Sequence, residues 1–306
     1  MKNKVRNFVP GIIHHIYQRT ASREVIFYSI SDYLVFFTII CTQARHFGVR
    51  ILALCPMPDH IHGAYIADSR EKLSGFVGGY TSQFTRAHNP VCHCQGSLFE
   101  NPFGSAVKVG AKKARANLIY IGNNPVERRL CSHAEKYRWN FLAYAVSDHP
   151  FSDPLIIRKA SWPLVRAVRE VHAVANRGRP LNYRQLQRLF APLDLRERNQ
   201  LADCIISIYN VIDYEAAGRF FDSYDDMIRA MHSTTGSEYD LNEIFNGRSD
   251  ACYARMTAFL MRELHLKDIH DVLALPAVVR RDIGDKLSVA AAAPPSQVAA
   301  FLRLPH

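Results

Sequence analysis

Residues 49–67 read "VRILALCPMPDHIHGAYIA". Two aliphatic runs, 49–55 and 60–67, flank a segment punctuated by Pro56 and Pro58. Proline supplies no ladder N–H, so the pair either closes a turn between two strands or kinks one longer strand. In a strand beginning near His60, alternation puts His60 and His62 on one face and Ile61 on the other. Two neutral imidazoles placed that way can chelate one divalent ion. With 14 histidines in 306 residues, one such H-x-H is close to what chance provides. The pair therefore needs support from the rest of the chain.

Around this stretch the pattern alternates strands and helices. "GIIHHIYQR" (11–19) is β-rich, and its His14 and His15 read as strand residues with no ligand role. Residues 31–48 read as a helix with Ser31 as N-cap and Gly48 just past its end. Residues 69–89 are helical in pattern despite their glycines. Residues 110–125 form a better helix, ended by Pro125. "RWNFLAYAV" (138–146) reads as a final strand. The order β-α-β-α-α-β predicts an α+β fold: a ferredoxin-like antiparallel sheet with helices.

The composition changes at 147–163, "SDHPFSDPLIIRKASWP", where three prolines sit among turn formers. This predicts one domain over 1–150 and an all-α C-terminal domain over 151–306. The last segment, 276–304, has the spacing of a helix-turn-helix, with a proline and Ser296 at the start of its second helix. Duplex binding, a protein contact and scaffolding all remain open for it.

Net charge is +10 and unevenly spread: +9 over 1–150, +6 over 151–198 and −5 over 199–306. The first two-thirds thus carries the electrostatic footprint of a polyanion binder. No apolar run reaches the roughly 20 residues of a membrane span. The basic N-terminus lacks the apolar core and small-residue site of a secretory signal. Seven cysteines, an odd number at irregular spacing, suit reduced thiols in a cytoplasm. "VCHCQG" (91–96) could begin a zinc site, but no matching second half follows, and a polar loop is the simpler reading.

The helix at 110–125 supplies a reactive group. "YIGNN" places Tyr120 and Asn124 one turn apart on one face. A phenol with a pKa of about 10 is a weak nucleophile toward a phosphodiester unless a nearby cation polarises the phosphate. On an apolar helix, Tyr120 taken alone is a core aromatic. Lys108, Lys112, Lys113 and Arg115 flank the start of this helix, either as a DNA-backbone contact or as a solvated face. Tyr80, Phe84 and Phe103 suit base stacking or, more simply, core packing.

"MPDHIHG", followed some sixty positions on by "YIGNNPV", resembles the single-tyrosine HUH transposases, in particular the REP-associated tyrosine transposase branch. "PGIIHHIYQR" and "GSLFENPFGSAVKV" resemble that family's opening strand and its segment before the tyrosine helix, so the resemblance spans roughly 8–146. It implies an HUH nuclease-type fold. It also implies metal-dependent cleavage and rejoining of single-stranded or hairpin DNA through a 5′-phosphotyrosine. In that scheme Tyr120 is the nucleophile, and His60, His62 and Asn124 hold Mg²⁺ or Mn²⁺. Gly63 and Ala64 depart from the larger aliphatics usual after the second histidine, which predicts a bulge beside the metal site. Asp59 replaces the frequent asparagine. Two alternatives stand beside this reading: a catalytically silent nucleic-acid-binding regulator of the same fold, and a phosphodiesterase that uses water, with Tyr120 structural. The sequence is compatible with a monomer or a homodimer.

Overall fold

The protein is described by a computed structural model over residues 7–100, 102–233 and 249–304; the basic start of the chain, 1–6, lies outside the described residues. Four strands form one antiparallel sheet: β1 (Ile13–Arg19), β2 (Arg50–Pro56), β3 (His60–Ile66) and β4 (Gly104–Lys108), in the order β2-β3-β1-β4. With α1 (Ile30–Phe47) between β1 and β2 and α2 (Arg70–Val91) between β3 and β4, this is the ferredoxin-like β-α-β-β-α-β arrangement. Pro56 and Pro58 close a hairpin turn rather than kinking one strand, with Met57 N donating to His60 O.

Helix α1 begins two residues earlier than the sequence suggests. Its N-cap is Ser29, not Ser31, because Asp32 completes a capping box by accepting from the Ser29 N–H. Gly48 closes it in the left-handed conformation (φ 64°). Helices α1 and α2 cover one face of the sheet, where Tyr65 packs on Phe76 and the Tyr80 hydroxyl donates to Gln18. Helix α3 (Ala111–Glu127) packs on the face carrying His60 and His62. Pro125 does not end α3. It lies within the helix, which runs on to Glu127.

The fourth strand is Gly104–Lys108, not 138–146. That aromatic run folds into two 3-10 turns, Arg138–Asn140 and Leu142–Ala145, joined by Phe141 at φ 61°. Its large side chains are buried by stacking, Trp139 on Tyr33 and Phe141 on Phe37. The expected bulge at Gly63 is absent: β3 stays in register there, opposite Ile16 and Leu54. The irregularity lies in β2, between Ile51 and Ala53.

Beyond the proline-rich segment the described chain is helical: α4 (Trp162–Asn176), α5 (Tyr183–Phe190), α6 (Leu195–Tyr209), α7 (Tyr214–Gly218), α8 (Tyr224–Ser233), α9 (Ala251–Glu263), α10 (Ala277–Ala290) and α11 (Pro295–Leu302). The side chains of α4–α8 join the sheet's own apolar core. Buried polar bonds cross the same seam: Tyr144 donates to Asp203 at 2.6 Å, and Leu181 N donates to the Thr38 hydroxyl at 3.1 Å. A second core gathers α9–α11 around Val25, Tyr28 and Cys92. The two helices expected over 276–304 are present, but α11 is a core element. Gln297, Val298, Ala300, Phe301 and Leu302 are buried, and the Tyr28 hydroxyl donates to Phe301 O at 2.9 Å. Most of this helix faces the core, and its exposed residues are those of its first turn.

All seven cysteines are free thiols, and Cys92 lies within the second core rather than on a polar loop. No helix among the described residues is long and apolar enough to cross a membrane.

Candidate active site

Strand alternation and register build the site. Antiparallel partners point to the same face, and β1 pairs with β3 as Tyr17 opposite His62 and Arg19 opposite His60. His15, two residues before Tyr17, therefore shares that face. The side chains on it form a compact aromatic cluster. The His60 and His62 rings are 4.9 Å apart at 86°, and Tyr120, reaching down from α3, stands 5.4 Å from His62 at 85°. His15 lies 5.2 Å from His62 and 5.7 Å from Tyr120.

The hydrogen bonds orient these rings. His60 Nδ1 lies 2.5 Å from Asp59 Oδ1, so its other nitrogen, Nε2, is the one free to act. That Nε2 is buried with no hydrogen-bond partner. A buried imidazole nitrogen left unsatisfied is costly, whereas a carboxylate behind one nitrogen and an open second nitrogen is the arrangement of a metal-ligating histidine. His62 Nδ1 is 3.1 Å from His15 Nε2, and His15 Nδ1 is 2.9 Å from the Asn117 amide on α3. Asn124 lies one turn past Tyr120, its amide nitrogen donating to the Tyr120 carbonyl at 3.0 Å, and an amide oxygen is a donor of the type hard cations take.

Among the described residues no three His, Cys, Asp or Glu side chains are gathered to hold a metal ion. The donors expected from the sequence are two imidazoles and one amide oxygen. Such a set, neutral and of mixed nitrogen and oxygen, suits a divalent ion that keeps open positions for water or phosphate.

The basic residues divide. Lys112, Lys113 and Arg115 are exposed on the first turns of α3, and the Arg115 guanidinium lies 4.7 Å over the Phe221 ring. Lys108 differs from them: its side chain is buried at the end of β4 and presents nothing to solvent. Tyr80 and Phe84 are fully buried core residues, and Phe103 is half-buried against the same core.

Three residues beside the expected ones belong to the cluster: His15, Asn117 and Asp59. Asn117 falls three positions before Tyr120, the spacing of one helix face, which is a signal visible in the sequence. His15 becomes meaningful only once β1 is known to pair with β3.

Residues 8–124 match the family described as IS200-like transposases. No curated protein matches the chain. Among solved structures, a REP-associated tyrosine transposase bound to a REP hairpin is similar, with 18% identity and a TM-score of 0.40 over 45% of this chain and 81% of that one.

Proposed function

From the match of residues 8–124 to the IS200-like transposases, we propose that the chain cuts and rejoins single-stranded DNA with Tyr120 as nucleophile. The observation that carries this reading is the perpendicular Tyr120 ring against His62, beside a His60 whose buried Nε2 has no hydrogen-bond partner.

In the proposed reaction the Tyr120 phenol oxygen bonds to the scissile phosphorus, and the bond from phosphorus to the 3′ oxygen breaks. The DNA is left attached to Tyr120 through its 5′ phosphate, and the phenol proton is balanced by the one taken up by the departing 3′-OH. Attack by that 3′-OH, or by another, reverses the step, so no nucleotide cofactor is needed. His60, His62 and Asn124 would hold Mg²⁺ or Mn²⁺. A cation held there would polarise the phosphate oxygens and stabilise charge built up in the transition state. Asp59 orients His60, and the helix carries Tyr120 and Asn124 as one rigid unit. Lys112, Lys113 and Arg115 offer phosphate contacts beside the helix start. Tyr120 exposes only 5% of its surface and His62 none, so the proposed cycle includes an opening step that admits the phosphate.

The test is to incubate the protein with single-stranded hairpin DNA and Mn²⁺ and run a denaturing gel. A covalent protein–DNA adduct that disappears in Tyr120→Phe is the expected result. Cleavage without an adduct would instead assign a water-using phosphodiesterase, and tight binding without cleavage a regulator.

A further inference from the structure

We propose that Asn117 and His15 are positioning residues that set the tautomer of His62, and thereby decide whether its Nε2 can bind a cation. The inference rests on the reading of His60 and His62 as metal ligands.

The three side chains form one buried chain, Asn117 to His15 at 2.9 Å and His15 to His62 at 3.1 Å, and all three are fully buried. The one bond between neutral imidazoles, His15 to His62, holds one proton, and the amide can donate or accept at His15, so the chain has two self-consistent directions. In one, the Asn117 N–H donates to His15 Nδ1 and His15 Nε2–H donates to His62 Nδ1. A neutral His62 then carries its proton on Nε2 and has no lone pair there for a cation. In the other, the Asn117 amide is turned so that its oxygen accepts from His15 Nδ1–H, while His15 Nε2 accepts from His62 Nδ1–H. The His62 Nε2 then carries a lone pair in place of the proton.

Passing from the first to the second rotates the amide, moves the shared proton from His15 to His62, releases the His62 Nε2 proton to water and adds one from water at His15 Nδ1. The proton count is unchanged. An amide is suited to this place because its two ends offer a donor and an acceptor of nearly equal size. The same bond ties α3 to the sheet one turn before Tyr120. Seating the tyrosine helix and choosing the His62 tautomer are thus one event.

The experiment measures Mn²⁺ affinity by the electron paramagnetic resonance signal of the free ion, for the full chain without DNA. The variants are His60→Ala, His15→Phe, Asn117→Leu and Asn117→Asp, each checked for folding by circular dichroism. A carboxylate at 117 can only accept, so Asn117→Asp holds the chain in the competent direction and is expected to bind at least as tightly as the parent. His15→Phe and Asn117→Leu are expected to bind about 10–100-fold more weakly, the usual cost of losing an outer-shell partner. As a second readout that needs no variant at 117, ¹⁵N shifts of the histidine rings in the parent protein are followed during Mg²⁺ titration. Protonation of both His15 and His62 at Nδ1 is the expected endpoint. If His60→Ala abolishes binding while His15→Phe and Asn117→Leu bind like the parent, the relay is overturned and the ligand reading survives. If the parent protein binds no Mn²⁺, the ligand reading falls and the relay with it.

Discussion

His270 Nε2 lies 3.0 Å from Asp32 Oδ1, joining the segment before α10 to the first turn of α1 across 238 positions of sequence. Both are buried, and Asp32 also accepts from the backbone N–H groups of Tyr28 and Ser29 and from the Tyr183 hydroxyl. One carboxylate thus caps a helix of the sheet-bearing part and anchors two elements of the C-terminal part. Burial alone would raise the Asp32 pKa, but His270 outweighs it and holds the group down at about 2. Burial alone would lower that of His270, and Asp32 with Asp268 instead raises it far above the usual imidazole range.

From these shifts follows a pH window. Asp32 is depressed, so its contribution is complete above its unfolded value near 4 and is lost as pH falls toward 2. His270 is raised, so its contribution is complete below about 6.5 and is lost only as pH rises through the elevated folded value. The pair therefore contributes fully from about pH 4 to 6.5 and most of it persists at neutrality. His270→Ala, which strands a buried carboxylate, is expected to cost about 3–5 kcal/mol in urea unfolding at pH 6. It should also flatten the acid limb of the stability curve between about pH 4 and 2, because an Asp32 no longer held down has no proton-linked stabilisation to lose there. An unchanged acid limb would mean that Asp32 is held down by its backbone donors alone.

Much of the sheet is legible because its signals are local. The hairpin of β2 and β3 shows in the paired prolines and in the alternation of His60, Ile61 and His62, and α1 shows in its apolar spacing and Gly48. The failures share a non-local cause. β4 reads GSAVK, five residues of modest β propensity that are strand only because β1 offers its edge. Residues 138–146 have the composition of a strand, yet their aromatics are buried by stacking, and Phe141 in the left-handed region breaks any extended run. Tyr120, Asn124 and the histidine pair are visible as residue types at helix and strand spacing. His15 stays hidden because its face of β1 acquires meaning only from the strand beside it.

Gly63 is explained by the ring above it rather than by a bulge. A Cβ at 63 would fall 2.0 Å from the Tyr65 hydroxyl and 2.2 Å from its ring carbon, and Tyr65 is completely buried against Phe76. Gly63→Ala is expected to destabilise the protein by roughly 1–3 kcal/mol through overpacking. In a Tyr65→Ala background the same change should cost less, and a double-mutant cycle in urea measures the difference. Equal costs in both backgrounds would show that the ring is not what selects glycine.

The last helix offers a direct contrast between core and recognition roles. Phe301 is fully buried, with its ring against Tyr28 and stacked on Tyr253. Phe301→Ala is expected to cost about 3–5 kcal/mol of stability. Substituting exposed Ser296 at the start of α11 should leave stability within about 0.5 kcal/mol, as surface changes do. A recognition helix would behave in reverse, with Phe301→Ala tolerated and duplex affinity lost at Ser296, and filter binding alongside thermal melting distinguishes the two.

Asp59 tests the orientation of His60. Its carboxylate accepts from His60 Nδ1, which places the proton there and leaves the lone pair on Nε2. An asparagine at 59 still has a carbonyl oxygen that can accept the same bond, so Asp59→Asn is expected to keep Mn²⁺ affinity within a few-fold of the parent. Asp59→Ala removes the acceptor and lets the ring take either tautomer, at an expected cost of about 10–100-fold in affinity. The formation rate of the Tyr120 adduct should follow the same order at subsaturating Mn²⁺ and converge at saturating Mn²⁺, because the lost interaction orients a ligand without touching the phosphate. Rates that stay apart at saturation would instead place Asp59 in contact with the reacting groups.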